Sequence, residues 1–145
     1  MAYIHYGSSH FDSKRFIPVH NEIHPWVKPM GGTGLWGTPE NSEYGWKEWC
    51  EFENFNVEKL ATHFRFDLKS DSKILYVRND EELSNIIDFC ISTSSILGID
   101  FEKLMNIGYD AMEVHVTTND IYMKLYGWDC DSIIVFNKDC IIELD

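Results

Sequence analysis

Apolar and polar residues alternate cleanly from Thr62 to Leu68, with Phe64, Phe66 and Leu68 on one side and His63, Arg65 and Asp67 on the other. A period of two predicts a half-buried strand. Ile74 to Val77 predicts a second strand after the polar turn Lys69 to Ser72. Asn79-Asp80-Glu81-Glu82 then offers an N-cap, a glutamate three residues on and acidic groups for the positive end of a helix. Leu83, Ile86, Ile87, Cys90 and Ile91 follow at the spacing of one helical face, which predicts a helix to about residue 91.

Elsewhere the pattern is shorter in range. Ala2 to Tyr6 reads as a first strand, stopped by Gly7-Ser8-Ser9. Residues 10 to 32 carry three prolines and two glycines without a clean period, and predict a long connection with one helical turn near Phe11 to Phe16. Gly34 to Pro39 reads as a brief strand, and Asn41 or Ser42 as the cap of a helix to about Glu51 that puts Trp46, Trp49 and Cys50 on one face. A short helix over Phe101 to Met105 precedes an alternating strand, Met112 to Thr117, and Thr118 or Asn119 opens a helix carrying Ile121, Tyr122 and Leu125. Ser132 to Phe136 and Cys140 to Leu144 predict two strands about Asn137-Lys138, the first apolar enough to be central. Strands and helices mixed without βαβ alternation predict a single α+β domain over residues 1 to 145, with largely antiparallel sheets.

Composition narrows the function classes. Twelve basic against 24 acidic residues give a net charge of −12, a field that disfavours non-specific nucleic-acid binding. No apolar run approaches the ~18 residues of a membrane span and no signal-peptide core opens the chain, so the expectation is a soluble, cytoplasmic protein without a membrane partner. Four cysteines without a CxxC pair read as reduced thiols packed as small hydrophobes. His20 and His24 have the spacing of helical metal ligands, but Pro18 and Pro25 leave no room for that helix, and no metal site is expected. Phosphate-loop, GxGxxG, GxSxG, HExxH and EF-hand patterns do not occur.

Four clusters at strand ends stand out: His5 to Ser8, Lys28 to Pro39, Tyr44 to Trp49 and Gly127 to Ser132. Trp36, Trp46 and Trp128 offer flat faces for a planar ligand, while His5, Ser8 and Thr38 offer hydrogen bonds to its edges. Taken in order, Tyr3-Ile4-His5-Tyr6-Gly7-Ser8, Gly34 to Pro39 with the aromatic helix after it, Tyr109-Asp110-Ala111, and Asp131-Ser132-Ile133-Ile134-Val135-Phe136-Asn137 resemble segments of the ADP-ribosyltransferase superfamily.

The resemblance implies a split, largely antiparallel β-sandwich with peripheral helices that binds NAD in a cleft and transfers ADP-ribose to a protein or nucleic-acid acceptor. It implies that His5 bonds the adenine-side ribose, that backbone at Tyr6 or Gly7 pairs with the nicotinamide amide, and that Trp36 or Trp46 stacks on the nicotinamide ring. Asp131 would take the acidic role at the nicotinamide ribose, with Asp129 as its rival if the following strand begins early. Two other readings stand beside this one: a module that holds NAD or ADP-ribose without turnover, and an acidic protein that occupies a basic partner by mimicking nucleic acid.

Overall fold

The computed structural model describes residues 1–21, 27–29, 31–93 and 96–145. The proposed ligand pair His20 and His24 falls partly outside them, as do the side chains of Ile87, Cys90 and Ile91. Nine strands are described: β1 (Tyr3–Tyr6), β2 (Leu35–Pro39), β3 (His63–Leu68), β4 (Ile74–Val77), β5 (Cys90–Thr93), β6 (Ile96–Ile99), β7 (Ala111–Val114), β8 (Ser132–Val135) and β9 (Ile141–Leu144). Four α-helices accompany them: α1 (Trp46–Glu53), α2 (Asp80–Asn85), α3 (Phe101–Asn106) and α4 (Asn119–Lys124).

Seven strands form one sheet in the order β4-β7-β8-β2-β1-β3-β9, antiparallel throughout except for β4 beside β7. This α+β, mostly antiparallel architecture is the fold class expected from the order of elements. β8 is fully buried because the two sides of the sheet are both covered. Ile134 joins a core with Val77, Leu104, Met112, Ile121 and Trp128, whereas Ile133 and Val135 join one with Tyr3, Leu35, Phe64 and Phe66. Two covered faces call for a strand that is apolar nearly throughout, and Ser132, its one polar member, donates its hydroxyl to Cys130 O at 3.0 Å. Among the described residues no helix is long and apolar enough to cross a membrane.

Four expectations are corrected. The helix expected to about residue 91 keeps its cap, Asn79 accepting from the Glu82 N–H, but ends at Asn85. A 3₁₀ turn, Ile86–Phe89, leads into β5, which pairs with β6 in a separate two-stranded sheet. The β-branched residues Ile91 and Thr93 favour the strand once Phe89 O is taken by Asp100 N–H at 2.7 Å.

Helix α1 starts at Trp46, not at Asn41 or Ser42: the Ser42 hydroxyl donates to Asp131 and accepts from the Tyr44 N–H two residues on, closing a turn ahead of the helix. Its cap is Gly45, where a Cβ would lie 2.1 Å from Thr38 Oγ1, so only glycine brings this turn against β2. The expected strand over Met112 to Thr117 is shorter and buried at every position, Glu113 included. The expected helical turn near Phe11 to Phe16 is a 3₁₀ turn at Ser13–Arg15.

Candidate functional site

The sheet divides where β1 meets β2. These strands pair at Tyr3↔Pro39 and Ile4↔Thr38. Beyond Ile4 the two part company: β1 continues along β3 to Tyr6↔His63, and β2 continues along β8 to Leu35↔Val135. The opening between them is a cleft of about 270 Å³, lined by His5, Tyr6, Trp36, Trp46, Trp128 and Asp129 together with Ile4, Lys28, Gly31, Gly37, Gly127, Cys130 and Ser132. Its volume sits at the lower edge of the ~300–1,000 Å³ typical of ligand pockets. That suits one ring and its sugar, with the rest of a larger ligand extending out of the mouth.

His5 takes over where the backbone ladder stops. Its Nδ1 lies 2.6 Å from the carbonyl oxygen of Trp36, across the split. A carbonyl can only accept, so Nδ1 carries the proton and donates, which leaves the lone pair on Nε2 as an acceptor. Burial lowers the pKa of this ring and the bond to Trp36 only partly offsets it, so His5 is neutral near pH 7. The cleft therefore presents an imidazole acceptor suited to a ribose hydroxyl.

Aromatic faces surround it. The Trp36 and Trp128 rings lie 5.1 Å apart and tilted at 56°, and Trp46 stacks on Trp49 at 5.1 Å and 17°. The Trp128 indole N–H is buried and has no acceptor among the described residues. An unpaired buried donor costs roughly 1–3 kcal/mol. Gly37 lines the same space because a Cβ there would come within 2.7 Å of the Phe66 ring, so β2 can approach β3's core side chain only as glycine.

Of the residues expected at the site, His5, Tyr6, Trp36, Trp46 and Asp129 meet in this cleft. Gly7, Ser8, Thr38 and Asp131 do not line it. Gly7 N–H is donated to Thr62 O at 2.7 Å, which leaves Tyr6 as the nearer backbone for an amide. Ser8 is exposed. Thr38 is buried and structural: its hydroxyl donates to Asp131 O at 2.7 Å and accepts from Trp46 N–H at 3.4 Å, tying β2 to α1 and to the entrance of β8. Lys28 and Ser132 line the cleft as well, unassigned from sequence although both sit inside the clusters that drew attention.

Asp131 belongs to a different constellation. The chain bends at Cys130 and Asp131 and β8 begins only at Ser132, so Asp129 and Asp131 are not the two same-side residues of one strand. The Asp131 carboxylate accepts from Ser42 Oγ at 2.6 Å and from Val116 N–H at 2.9 Å, and faces His115 Nδ1 at 3.6 Å. His115 Nε2 donates to Glu113 at 2.6 Å, and Glu113 in turn accepts from the Tyr3 hydroxyl at 2.5 Å. Glu113 is only 2% exposed, a cost that its two hydrogen bonds and the neighbouring imidazolium offset. No local pattern announces this chain of groups, since Tyr3 enters from the far end of the sequence.

Comparison of the chain with family models, with curated proteins and with solved structures gives no match.

Protonation of the second constellation gives a prediction. Asp131 and Glu113 together raise the His115 pKa from 6.5 to about 9, against the opposing effect of burial. Burial works against charge on Asp131, but His115, Ser42 and the Val116 N–H outweigh it and hold its pKa below the ordinary carboxylate value. A raised folded-state value stabilises fully below the unfolded pKa and is lost as pH climbs through the folded one. Stability from His115 is thus expected to be constant below pH 6.5 and to fall by roughly 3 kcal/mol as the pH passes 9. Chemical denaturation across that range checks it, and His115→Gln should flatten the decline. An identical decline in the variant contradicts it. Thiols do not share the window: burial pushes Cys50 up to about 11 and Cys130 up to about 12, so neither is a nucleophile near neutrality.

Proposed function

We propose that this protein binds NAD in the cleft at the split of its sheet and transfers the ADP-ribosyl group to a macromolecular acceptor, releasing nicotinamide. The observation that carries the reading is the meeting, in one cleft, of an imidazole acceptor, indole faces and an aspartate. Likeness of the segments around His5, Gly34 to Pro39 and Asp131 to Asn137 to ADP-ribosyltransferases supports it.

Each residue then has a task. Trp36 and Trp46 stack on the nicotinamide ring, and His5 Nε2 accepts from a ribose hydroxyl. Lys28, the one lysine or arginine among the described lining residues, faces the pyrophosphate. The acidic role falls to Asp129, because Asp129 lines the cleft while the Asp131 carboxylate is held by Ser42, Val116 and His115. As the bond to nicotinamide lengthens, positive charge grows on the ribose. A carboxylate ~4 Å away at an effective dielectric of ~20 stabilises that charge by roughly 4 kcal/mol, about a thousandfold in rate. Asp131 is a positioning residue, since its backbone is pinned by Thr38 and Tyr44 two residues from Asp129.

Titration with NAD, followed by tryptophan fluorescence and melting temperature, tests the binding half. NAD at ~100 times its dissociation constant is expected to add about 2.7 kcal/mol of stability and to alter the emission. Emission and melting temperature unmoved at millimolar NAD would remove the reading.

A further inference from the structure

β1 and β2 pair at only two positions, and one residue of each pair is tied to the same buried cluster. Tyr3, opposite Pro39, donates its hydroxyl to Glu113. Thr38, opposite Ile4, donates its hydroxyl to the carbonyl oxygen of Asp131. His115 joins the two carboxylates, at 2.6 Å from Glu113 and 3.6 Å from Asp131. Two strands, β8 and β2, lie between β7 and β1 in the sheet, so the bond from Tyr3 to Glu113 reaches across the sheet instead of along a neighbouring pair. The cluster therefore closes the end of the split at which the cleft begins. Its members lead into the cleft on three sides. His5 shares a face of β1 with Tyr3, Asp129 stands two residues before Asp131, and Trp46 opens the helix that follows Ser42, whose hydroxyl donates to Asp131 at 2.6 Å.

We infer that Tyr3, Glu113, His115, Asp131 and Ser42 form a pH-sensitive clamp that holds the cleft at its binding width while His115 is charged and releases it when His115 loses its proton. That the ligand so regulated is NAD rests on the ADP-ribosyl reading of the cleft. A charged imidazole donates from both nitrogens and serves both carboxylates, whereas a neutral one has a single N–H. The shorter contact keeps that proton, because Glu113 is 2% exposed and an unserved carboxylate costs most where water cannot reach it. Asp131 then faces a lone pair, and its side chain, 18% exposed, is the one able to turn to water. The Asp131 backbone holds Thr38 through its carbonyl and Tyr44 through its N–H. A shift there widens the split and moves Trp128 and Asp129, which precede it.

The other charged and titratable groups around the cluster leave His115 as the one that switches. Glu82 on α2 also acts on His115 but is paired with Arg78 at 2.8 Å, and that guanidinium stays charged throughout. Tyr76 on β4 and Tyr3 on β1 face Glu113, and burial pushes both phenols above their ordinary value. His115, raised to about 9 by its two carboxylates, loses its proton before either of them.

The primary test uses the wild type, with histidine labelled at Cε1 and fluorine on the tryptophan rings, followed by NMR from pH 7 to 9.5. Far-UV circular dichroism is recorded on the same samples. One histidine signal is expected to titrate toward the upper end of that range and to be missing in His115→Gln. The Trp36 and Trp128 fluorine signals, assigned with Trp36→Phe and Trp128→Phe, are expected to shift with the same midpoint while the dichroism stays constant. NAD affinity is expected to fall about threefold between pH 7 and 9.5 in the wild type and to be weak and level in His115→Gln. Saturating NAD is expected to move the histidine midpoint upward, as linked equilibria are reciprocal. Tryptophan signals that ignore the histidine, loss of dichroism in the same window, or a fall in NAD affinity that persists in His115→Gln overturns the clamp. Histidine and tryptophan signals that move together in a protein that binds no NAD at either pH support the clamp and remove the cleft reading.

Discussion

Asp129→Asn is expected to depress nicotinamide release by about a hundredfold or more while leaving NAD affinity within about threefold. The asymmetry follows from where the charge sits: in bound NAD it is delocalised over the nicotinamide ring, and it moves onto the ribose carbon beside the carboxylate only on the way to the transition state. A hundredfold corresponds to about 2.7 kcal/mol, within what one carboxylate can supply in a partly desolvated cleft. Asp131→Asn is the control. It replaces the carboxylate facing His115 by an amide, so it should lower stability and bring the His115 pKa down, with turnover reduced by less than about tenfold. Steady-state kinetics and NAD titration of the two variants decide between them. If Asp131→Asn abolishes release and Asp129→Asn remains active, the acidic role moves two residues on.

Phe66→Ala is expected to cost about 3–5 kcal/mol of stability, the largest effect of any single truncation considered. Phe66 has no exposed surface, stacks on Tyr3 at 5.4 Å, touches Phe64 at 6.1 Å and fills the space that Gly37 leaves open. Surrounding strands are pinned by their ladders and cannot collapse into the cavity, which places the cost toward the upper end. Trp36→Ala makes the contrasting case. Its ring is only partly buried and faces the cleft, so its loss should weaken NAD far more than it weakens the fold. Urea denaturation of both variants, with NAD titration of the second, checks the pair. A reversed ranking would mean that Trp36 is a core residue and the cleft is not a binding site.

Much of this arrangement is legible in the chain. Alternation from Thr62 to Leu68 marks β3, and the uninterrupted apolar run of Ile133 to Phe136 marks the strand buried on both sides. These are local signals, and local periodicity reads them. The clusters around His5, Trp36, Trp46 and Gly127 to Ser132 were legible as well, because glycine and aromatics at strand ends leave surfaces that a core does not use. What escaped reading depends on distant partners or on a bend. Helical spacing continues past Asn85, but Phe89 is drawn into a bond with Asp100 and the chain turns into β5. Glu113 looks like the exposed member of an alternating strand, yet Tyr3 and His115 reach it and it is buried. Asp129 and Asp131 stand two apart like neighbours on a strand face, and only the bend before Ser132 sends one to the cleft and the other to His115.

The most direct test of the central claim is chromatographic detection of nicotinamide after purified wild-type protein is incubated with NAD, with and without a macromolecular acceptor. Nicotinamide is expected to accumulate with time and enzyme concentration, and to be nearly absent with Asp129→Asn. A wild-type protein that binds NAD in the cleft yet releases no nicotinamide, with or without acceptor, would contradict the account and make the cleft a site that holds NAD without turning it over.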